Sequence, residues 1–98
     1  MAIGNLFKSL LGGGKPGQQI SDPVDYKGFT IEAAPIDEDG KFRTAGYISG
    51  ELDGEVKRIQ FIRADQNADI QTAMDHALAK GRQIIDEQGQ ALLQKSNL

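Results

Sequence analysis

The last third of the chain carries an apolar stripe at helical spacing, and this stripe constrains the fold more than any other feature. Its members follow the i, i+3, i+4, i+7 rule without a miss: Ile70, Ala73, Met74, Ala77, Leu78, Gly81, Ile84 and Ile85. Asp65, Asn67 or Asp69 can cap the start of this helix, and Gly89 can end it or be tolerated within it. A helix with such a stripe must bury it. The cover has to come from the segments that precede it.

Three runs of alternating residues upstream predict β-strands. The first spans residues 29–33 and closes at Pro35, the second spans residues 42–49, and the third covers residues 58–63. The sequence Asp37-Glu38-Asp39-Gly40 predicts a loop between the first two runs. Asp53-Gly54 predicts a two-residue type I′ hairpin, because both central positions of that turn need positive φ. Short turns between successive strands predict an antiparallel meander.

The expected fold class is therefore α+β, with the order βββα. A three-stranded antiparallel meander is covered on one face by one long C-terminal helix, because three strands need such cover to be stable. We place this single domain at residues 24–98. The helix can cover only one face of the sheet, which leaves the other face open.

Residues 1–23 form a separate head in this interpretation. Its first eleven residues place apolar side chains at helical spacing, and residues 12–19 contain four glycines and a proline, which predicts a flexible linker. Residues 1–21 carry a charge of +2, against −5 for the rest of the chain. The candidate contact residues of the head are Leu6, Phe7, Leu10 and Leu11.

Composition excludes much enzyme chemistry. The 98 residues include no cysteine and one histidine, so thiolate sites, Cys nucleophiles and multi-histidine metal centres are ruled out. A histidine that acts as a general base needs a positioned partner and a pocket, and the sequence suggests neither for His76. It is better explained as a solvated helix residue. The glycines before Lys15 do not form a phosphate-binding loop, since Pro16 stands where Ser or Thr is needed. We expect no enzymatic activity, no cofactor and no bound metal.

A candidate interaction face lies on the side of the sheet that the helix leaves open. Cations near one aromatic ring are typical of some single-stranded nucleic-acid binders. However, Glu32 and Glu51 dilute the charge, and the net charge of −3 gives no global attraction to a polyanion, so a protein contact is the favoured hypothesis. The candidate residues are Arg43, Ala45, Tyr47, Lys57, Arg58 and Ile62.

Several segments of the chain resemble the small bacterial HlyU family, which is described as an activator of haemolysin expression. The segments are Tyr26-Lys27-Gly28-Phe29, Phe42-Arg43-Thr44-Ala45-Gly46, Asp53-Gly54-Glu55-Val56-Lys57, Phe61-Ile62-Arg63-Ala64-Asp65 and Gln83-Ile84-Ile85-Asp86-Glu87-Gln88-Gly89. The resemblance runs from about residue 24 to residue 93, and the Leu-Phe-x-x-Leu-Leu-Gly-Gly-Gly head is similar too. It implies a transcriptional regulator, and it transfers no site residue.

The combined expectation is a non-enzymatic, cytoplasmic transcriptional activator that works through a protein partner. A winged helix needs a recognition helix within a helix-turn-helix pair, and this sequence predicts one strong helix whose stripe is buried. Whether DNA is contacted directly stays open, as does the oligomeric state. The alternative is a small protein-interaction module unrelated to transcription. In that alternative, residues 1–11 could also bind a membrane surface weakly, although this contact is less favoured.

Overall fold

The computed structural model describes residues 19–95. Within that range the chain forms a sheet of five strands, then a helix and a short 3₁₀ helix: β1 (Val24–Tyr26), β2 (Phe29–Ala33), β3 (Ile36–Glu38), β4 (Lys41–Leu52), β5 (Glu55–Asn67), α1 (Ile70–Gln88) and the 3₁₀ helix (Gly89–Gln94). All strand pairs are antiparallel. Strand β4 is central: β2 and β3 share one of its edges, β5 takes the other, and β1 extends the sheet beyond β2.

The predicted α+β class with one helix after the sheet is confirmed, but the three-stranded meander is wrong. The predicted runs correspond to β2, β4 and β5, and the short strands β1 and β3 were missed. Strand β2 ends at Ala33, before Pro35 as predicted, but the amide of Ala34 still donates to the carbonyl of Ala45 at 2.9 Å. The chain therefore stays beside β4 and resumes pairing as β3, with Ile36 opposite Arg43.

The predicted loop at residues 37–40 is correspondingly shorter than expected. Asp37 and Glu38 belong to β3, and only Asp39 and Gly40 form the turn, with φ of 54° and 88°. Asp53 and Gly54 adopt φ of 53° and 81°, which confirms the predicted hairpin turn. Lys27-Gly28 joins β1 to β2 in the same way, with φ of 50° and 85°. Positive φ at both central residues is the requirement of a type I′ turn, whose twist matches that of paired strands.

Helix α1 packs its predicted stripe against one face of the sheet. Of the three predicted caps, Asp69 is the one used, and its carboxylate accepts from the Thr72 amide at 2.8 Å. The helix ends at Gly89, whose φ is 54°. Burying each large apolar side chain contributes about 1.5–3 kcal/mol. The residues packed in this core include Phe29, Ile31, Ile48, Ile59, Phe61, Ala77, Ile84, Ile85, Leu92 and Leu93.

Two glycines allow the layers to come this close. A Cβ on Gly81 would lie 2.6 Å from Cγ2 of Ile31, so helix α1 rests directly on β2 at that point. A Cβ on Gly46 would meet the carbonyl oxygen of Glu32 and, at 2.7 Å, the ring of Phe61. The core therefore depends on the absence of side chains at both positions.

Candidate functional site

The sheet face opposite helix α1 collects most of the predicted interaction residues, and we call it the open face. Alternate residues of β2, β4 and β5 point to this side because side chains alternate along a strand. Strand register sets Glu32 beside Tyr47 and Tyr47 beside Gln60, while Ala45 pairs with Ile62. The open face consists of Thr30, Glu32, Ala45, Tyr47, Ser49, Arg58, Gln60 and Ile62.

An arginine stacked on a tyrosine forms the centre of the open face. Arg58 stands opposite Ser49 in the register, yet its guanidinium carbon lies 3.6 Å from the centroid of the Tyr47 ring. The side chain therefore runs diagonally across the strands, which long residues at diagonal positions can do. A cation held over a ring in this way gains about 0.5–2 kcal/mol, depending on solvent exposure. The stack orders two large side chains in one geometry.

Glu32 is the unexpected member of this face. It is only 5% exposed, and its Oε1 has no hydrogen-bond partner. Burial raises the pKa of its carboxyl group, and the positive charge of Arg58 offsets part of that rise. The sequence showed Glu32 only as a charge that dilutes the cations. A glutamate between two apolar residues of a predicted strand was the available signal, and such carboxylates need a donor when buried.

Apolar residues complete the open face. Ala45 is fully buried, whereas Ile62 is 43% exposed next to it in the register. Val56, near the turn between β4 and β5, is 56% exposed and was not predicted as a contact residue. The structure therefore brings Ala45, Tyr47, Arg58 and Ile62 together.

The other two predicted cations lie apart from this group and have anionic neighbours. Nε of Arg43 donates to both carboxylate oxygens of Glu38, at 2.9 and 3.0 Å, near the β3 end of the sheet. This bond, with a second one from Gln66, lowers the pKa of Glu38. Lys57 pairs with Gly50 on the helix side of the sheet, and its Nζ lies 3.6 Å from Oε1 of Glu55. Neither side chain adds a free charge to the open face.

A polar cluster that sequence reasoning missed ties the β1–β2 hairpin to helix α1. The hydroxyl of Tyr26 donates to both oxygens of Asp86 at 3.0 Å, and Nζ of Lys27 lies 2.6 Å from Oδ1 of the same group. These bonds, that of Lys27 first, lower the pKa of Asp86. All three residues occur in the segments that resemble the HlyU family, but nothing in their spacing along the chain indicated the contact.

The remaining candidate positions offer no chemistry beyond this. His76 is exposed, with its Nδ1 3.3 Å from the amide nitrogen of Asn67. Asp37 accepts a 3.3 Å bond from the Gly40 amide and so serves the turn. Residues 19–95 contain no cluster of His, Asp and Glu suited to a metal ion. In the same range no helix is both long and apolar enough to span a bilayer.

The predicted head contact, Leu6, Phe7, Leu10 and Leu11, lies outside the described residues, as does most of the predicted linker. The described chain begins at Gln19 and immediately joins the sheet edge. The amide of Ser21 donates to the carbonyl of Ala33 at 2.8 Å, and the Ala33 amide donates to Oγ of Ser21 at 2.9 Å. Ser21, near the end of the predicted head, therefore lies beside β2, one residue along that strand from Glu32.

Comparison with known proteins decides the family. A family profile described as transcriptional activator HlyU matches residues 5–93, which is most of the chain. The chain belongs to the HlyU family. The matched HlyU region begins within the head, before the glycine-rich segment. No curated protein and no solved structure matches the chain.

Proposed function

We propose that this HlyU-family chain regulates transcription without catalysis, by binding a protein partner through its open face. The family description as transcriptional activator supports the regulatory role. The site supports the mode of action, because the open face carries an aromatic ring, an arginine and an exposed isoleucine in contiguous register. Tyr and Arg are the residue types that most often dominate the energy of protein interfaces.

The single observation that carries this proposal is that the three cations predicted as contact residues of the sheet already have partners within the chain. Arg43 is bound to Glu38, Lys57 lies beside Glu55, and Arg58 is stacked on Tyr47. Binding to a DNA backbone requires cations that can neutralise phosphates. A buried carboxylate, Glu32, also lies within the same face and would repel a phosphate. Charge on this face therefore favours a protein over a nucleic acid.

Helix α1 also cannot act as a recognition helix in its present position. A helix-turn-helix places one helix in the major groove while a second crosses the backbone. In the described part of the chain α1 is followed only by a 3₁₀ helix, and Gly81 of α1 rests on Ile31 of the sheet. Freeing α1 to enter a groove would expose the core.

A DNA titration tests the first half of the proposal. Fluorescence anisotropy at low salt should show that the protein binds promoter fragments from the host no more tightly than it binds a random duplex of equal length. Binding carried by charge would weaken with salt, with a slope of about 0.9 per phosphate contacted. A specific complex at low salt with such a slope would overturn the partner-mediated mode of action.

A transcript comparison in the host tests the second half. Deleting the gene should change a defined set of transcripts, and the wild-type chain should restore them. We expect Tyr47→Ala and Ile62→Ser to fail in restoration while remaining folded and equally abundant. Gln83→Ser, at an exposed position of α1, is the matched control and should restore them. Unchanged transcripts on deletion would favour an interaction module unrelated to transcription.

A further inference from the structure

We propose that residues 3–11 of the same chain bind the open face of the sheet, so that the head is an intramolecular ligand of its own domain. This docking is a property of the free chain and stands independently of the proposed function. If both hold, the head and the protein partner compete for one surface. Relief of that competition would then be a built-in control of regulation.

The apolar side chains of the head could cover the exposed apolar surface of the open face. Five apolar side chains recur at helical spacing over residues 3–11, and a stripe of this kind needs a surface to cover it. The open face offers Ile62, which is 43% exposed, with Tyr47 at the diagonal position on β4; Ala45, directly opposite Ile62, is itself buried. Each surface leaves apolar area in water that contact with the other would remove. The stripe consists of Ile3, Leu6, Phe7, Leu10 and Leu11.

Charge favours the same pairing. The head carries Lys8 and Lys15 and no acidic residue up to position 21, whereas the rest of the chain has a net charge of −5. Glu32 brings a nearly buried carboxylate to the open face, and its Oε1 lacks a hydrogen-bond partner. A buried carboxylate oxygen without a hydrogen-bond donor destabilises the folded chain. The head supplies donors in Lys8, in two small polar side chains and in its backbone amides.

The attachment point makes the contact geometrically simple. Ser21 is bonded to Ala33, and Ala33 is adjacent to Glu32 and opposite Gly46 in the register. Tyr47 and Gln60 then follow Glu32 at successive strand spacings of about 4.8 Å. A glycine-rich segment of eight residues has an end-to-end distance of roughly 16 Å. The head can therefore reach Ile62 without strain.

Family membership adds an independent reason to treat the head as part of the domain. The HlyU profile begins at residue 5, inside the apolar stripe of the head, and continues to residue 93. The head is thus included in the unit that defines the family. A segment that binds its own sheet has a physical reason to be part of that unit.

Site-directed cross-linking of the full chain tests the docking. The protein has no cysteine, so introduced cysteines are the only thiols present. We pair Ser9→Cys in the head with Gln60→Cys on the open face, and separately with Gln83→Cys on the exposed side of α1. With a short bismaleimide at low protein concentration, the Ser9–Gln60 pair should form an intramolecular product at least several-fold faster than the Ser9–Gln83 pair.

Phe7→Ser in the Ser9–Gln60 background is the decisive control, since it removes a stripe residue without touching the described domain. It should reduce the cross-linking rate to that of the Ser9–Gln83 pair, while Asn5→Ser should not. A rate that ignores Phe7→Ser would overturn the docking. Products that are mainly dimers would also overturn it and assign the face to a second copy. Because no partner is present, neither result bears on the proposed regulatory function.

Discussion

At the scale of single residues, the missing side chain of Gly81 sets the distance between helix and sheet. Glycine inside a helix costs about 1 kcal/mol relative to alanine, so its presence on the apolar stripe requires a packing reason. The reason is the methyl group of Ile31, which occupies the space where a Cβ would stand. The place of Gly81 on the apolar stripe puts this gap on the face of α1 that packs against the sheet.

Gly81→Leu should therefore lower the free energy of unfolding. Forcing a large side chain into this contact requires the helix to move off β2, and overpacking of this kind costs about 1–3 kcal/mol. Urea denaturation followed by circular dichroism measures the change. Ala79→Leu, at an exposed position of the same helix, is the control and should change stability little. A Gly81→Leu protein as stable as wild type would show that α1 does not rest on Ile31.

The buried carboxyl group of Glu32 should make stability depend on pH. Burial raises its pKa above the ordinary 4.5, so the folded protein retains this proton to higher pH than the unfolded chain does. Where the folded state binds more protons, stability falls as pH rises, and this loss begins near 4.5 and is complete above the raised value. Glu32→Gln removes the titration. Its stability relative to wild type should therefore improve between about pH 4 and about pH 7.

Urea midpoints of both proteins at the two pH values test this expectation. Glu51→Gln, on the exposed end of β4, controls for the loss of one negative charge. A stability difference for Glu32→Gln that stays constant with pH would contradict a raised pKa for this group.

At the scale of elements, the cluster of Tyr26, Lys27 and Asp86 secures the edge of the sheet. Strand β1 has three residues and pairs only with β2 in the described structure, so its own hydrogen bonds hold it weakly. The bonds from Tyr26 and Lys27 to Asp86 anchor its turn to the last part of helix α1. Exposed ion pairs contribute little to global stability, so the cluster acts mainly on this hairpin.

Tyr26→Phe should loosen the β1–β2 hairpin more than the rest of the domain. The substitution keeps the ring that packs against the core and removes only the hydroxyl that donates to Asp86. Amide hydrogen exchange should become faster in β1 and at its pairing residues in β2, with little change in β4 and β5. Tyr47→Phe is the matched control, because it also removes a tyrosine hydroxyl but on β4, away from Asp86 and the β1–β2 hairpin. Uniform acceleration throughout the sheet would contradict a local role.

The elements divide into those with a strong local pattern and those without one. Helix α1 and strands β2, β4 and β5 were predictable because each has enough residues to display its period, and Asp53-Gly54 has the chemistry of its turn. Strands β1 and β3 have three residues each, which is too few for a period to be seen. Their pairing depends on β2 and β4, which lie elsewhere in the sequence. The same limit applies to the Arg58–Tyr47 stack, since it requires the register of β4 and β5.

At the scale of the whole molecule, charge and apolar surface are unevenly divided between head and domain. The head is cationic and apolar, while the domain is anionic and leaves Ile62 exposed on the open face. A head bound to the domain would bring opposite charges together and cover apolar surface on both parts within one chain. An alternative cover is an anionic membrane, to which each lysine near the surface contributes about 1 kcal/mol.

These two covers make opposite predictions for Ile62→Asp. Ile62 points to the open face and is not part of the core cluster, yet an aspartate there removes apolar contact for the head without changing the head itself. If the head binds the domain, wild-type protein should remain in the supernatant with anionic vesicles, and Ile62→Asp should shift a larger fraction into the pellet despite its added negative charge. Two lysines and a short apolar stripe give only weak, reversible binding, so the fraction should fall again in high salt. Gln83→Asp, on the exposed side of α1 and away from the open face, is the control and should sediment like wild type. Equal sedimentation of Ile62→Asp and Gln83→Asp would mean that Ile62 does not restrain the head.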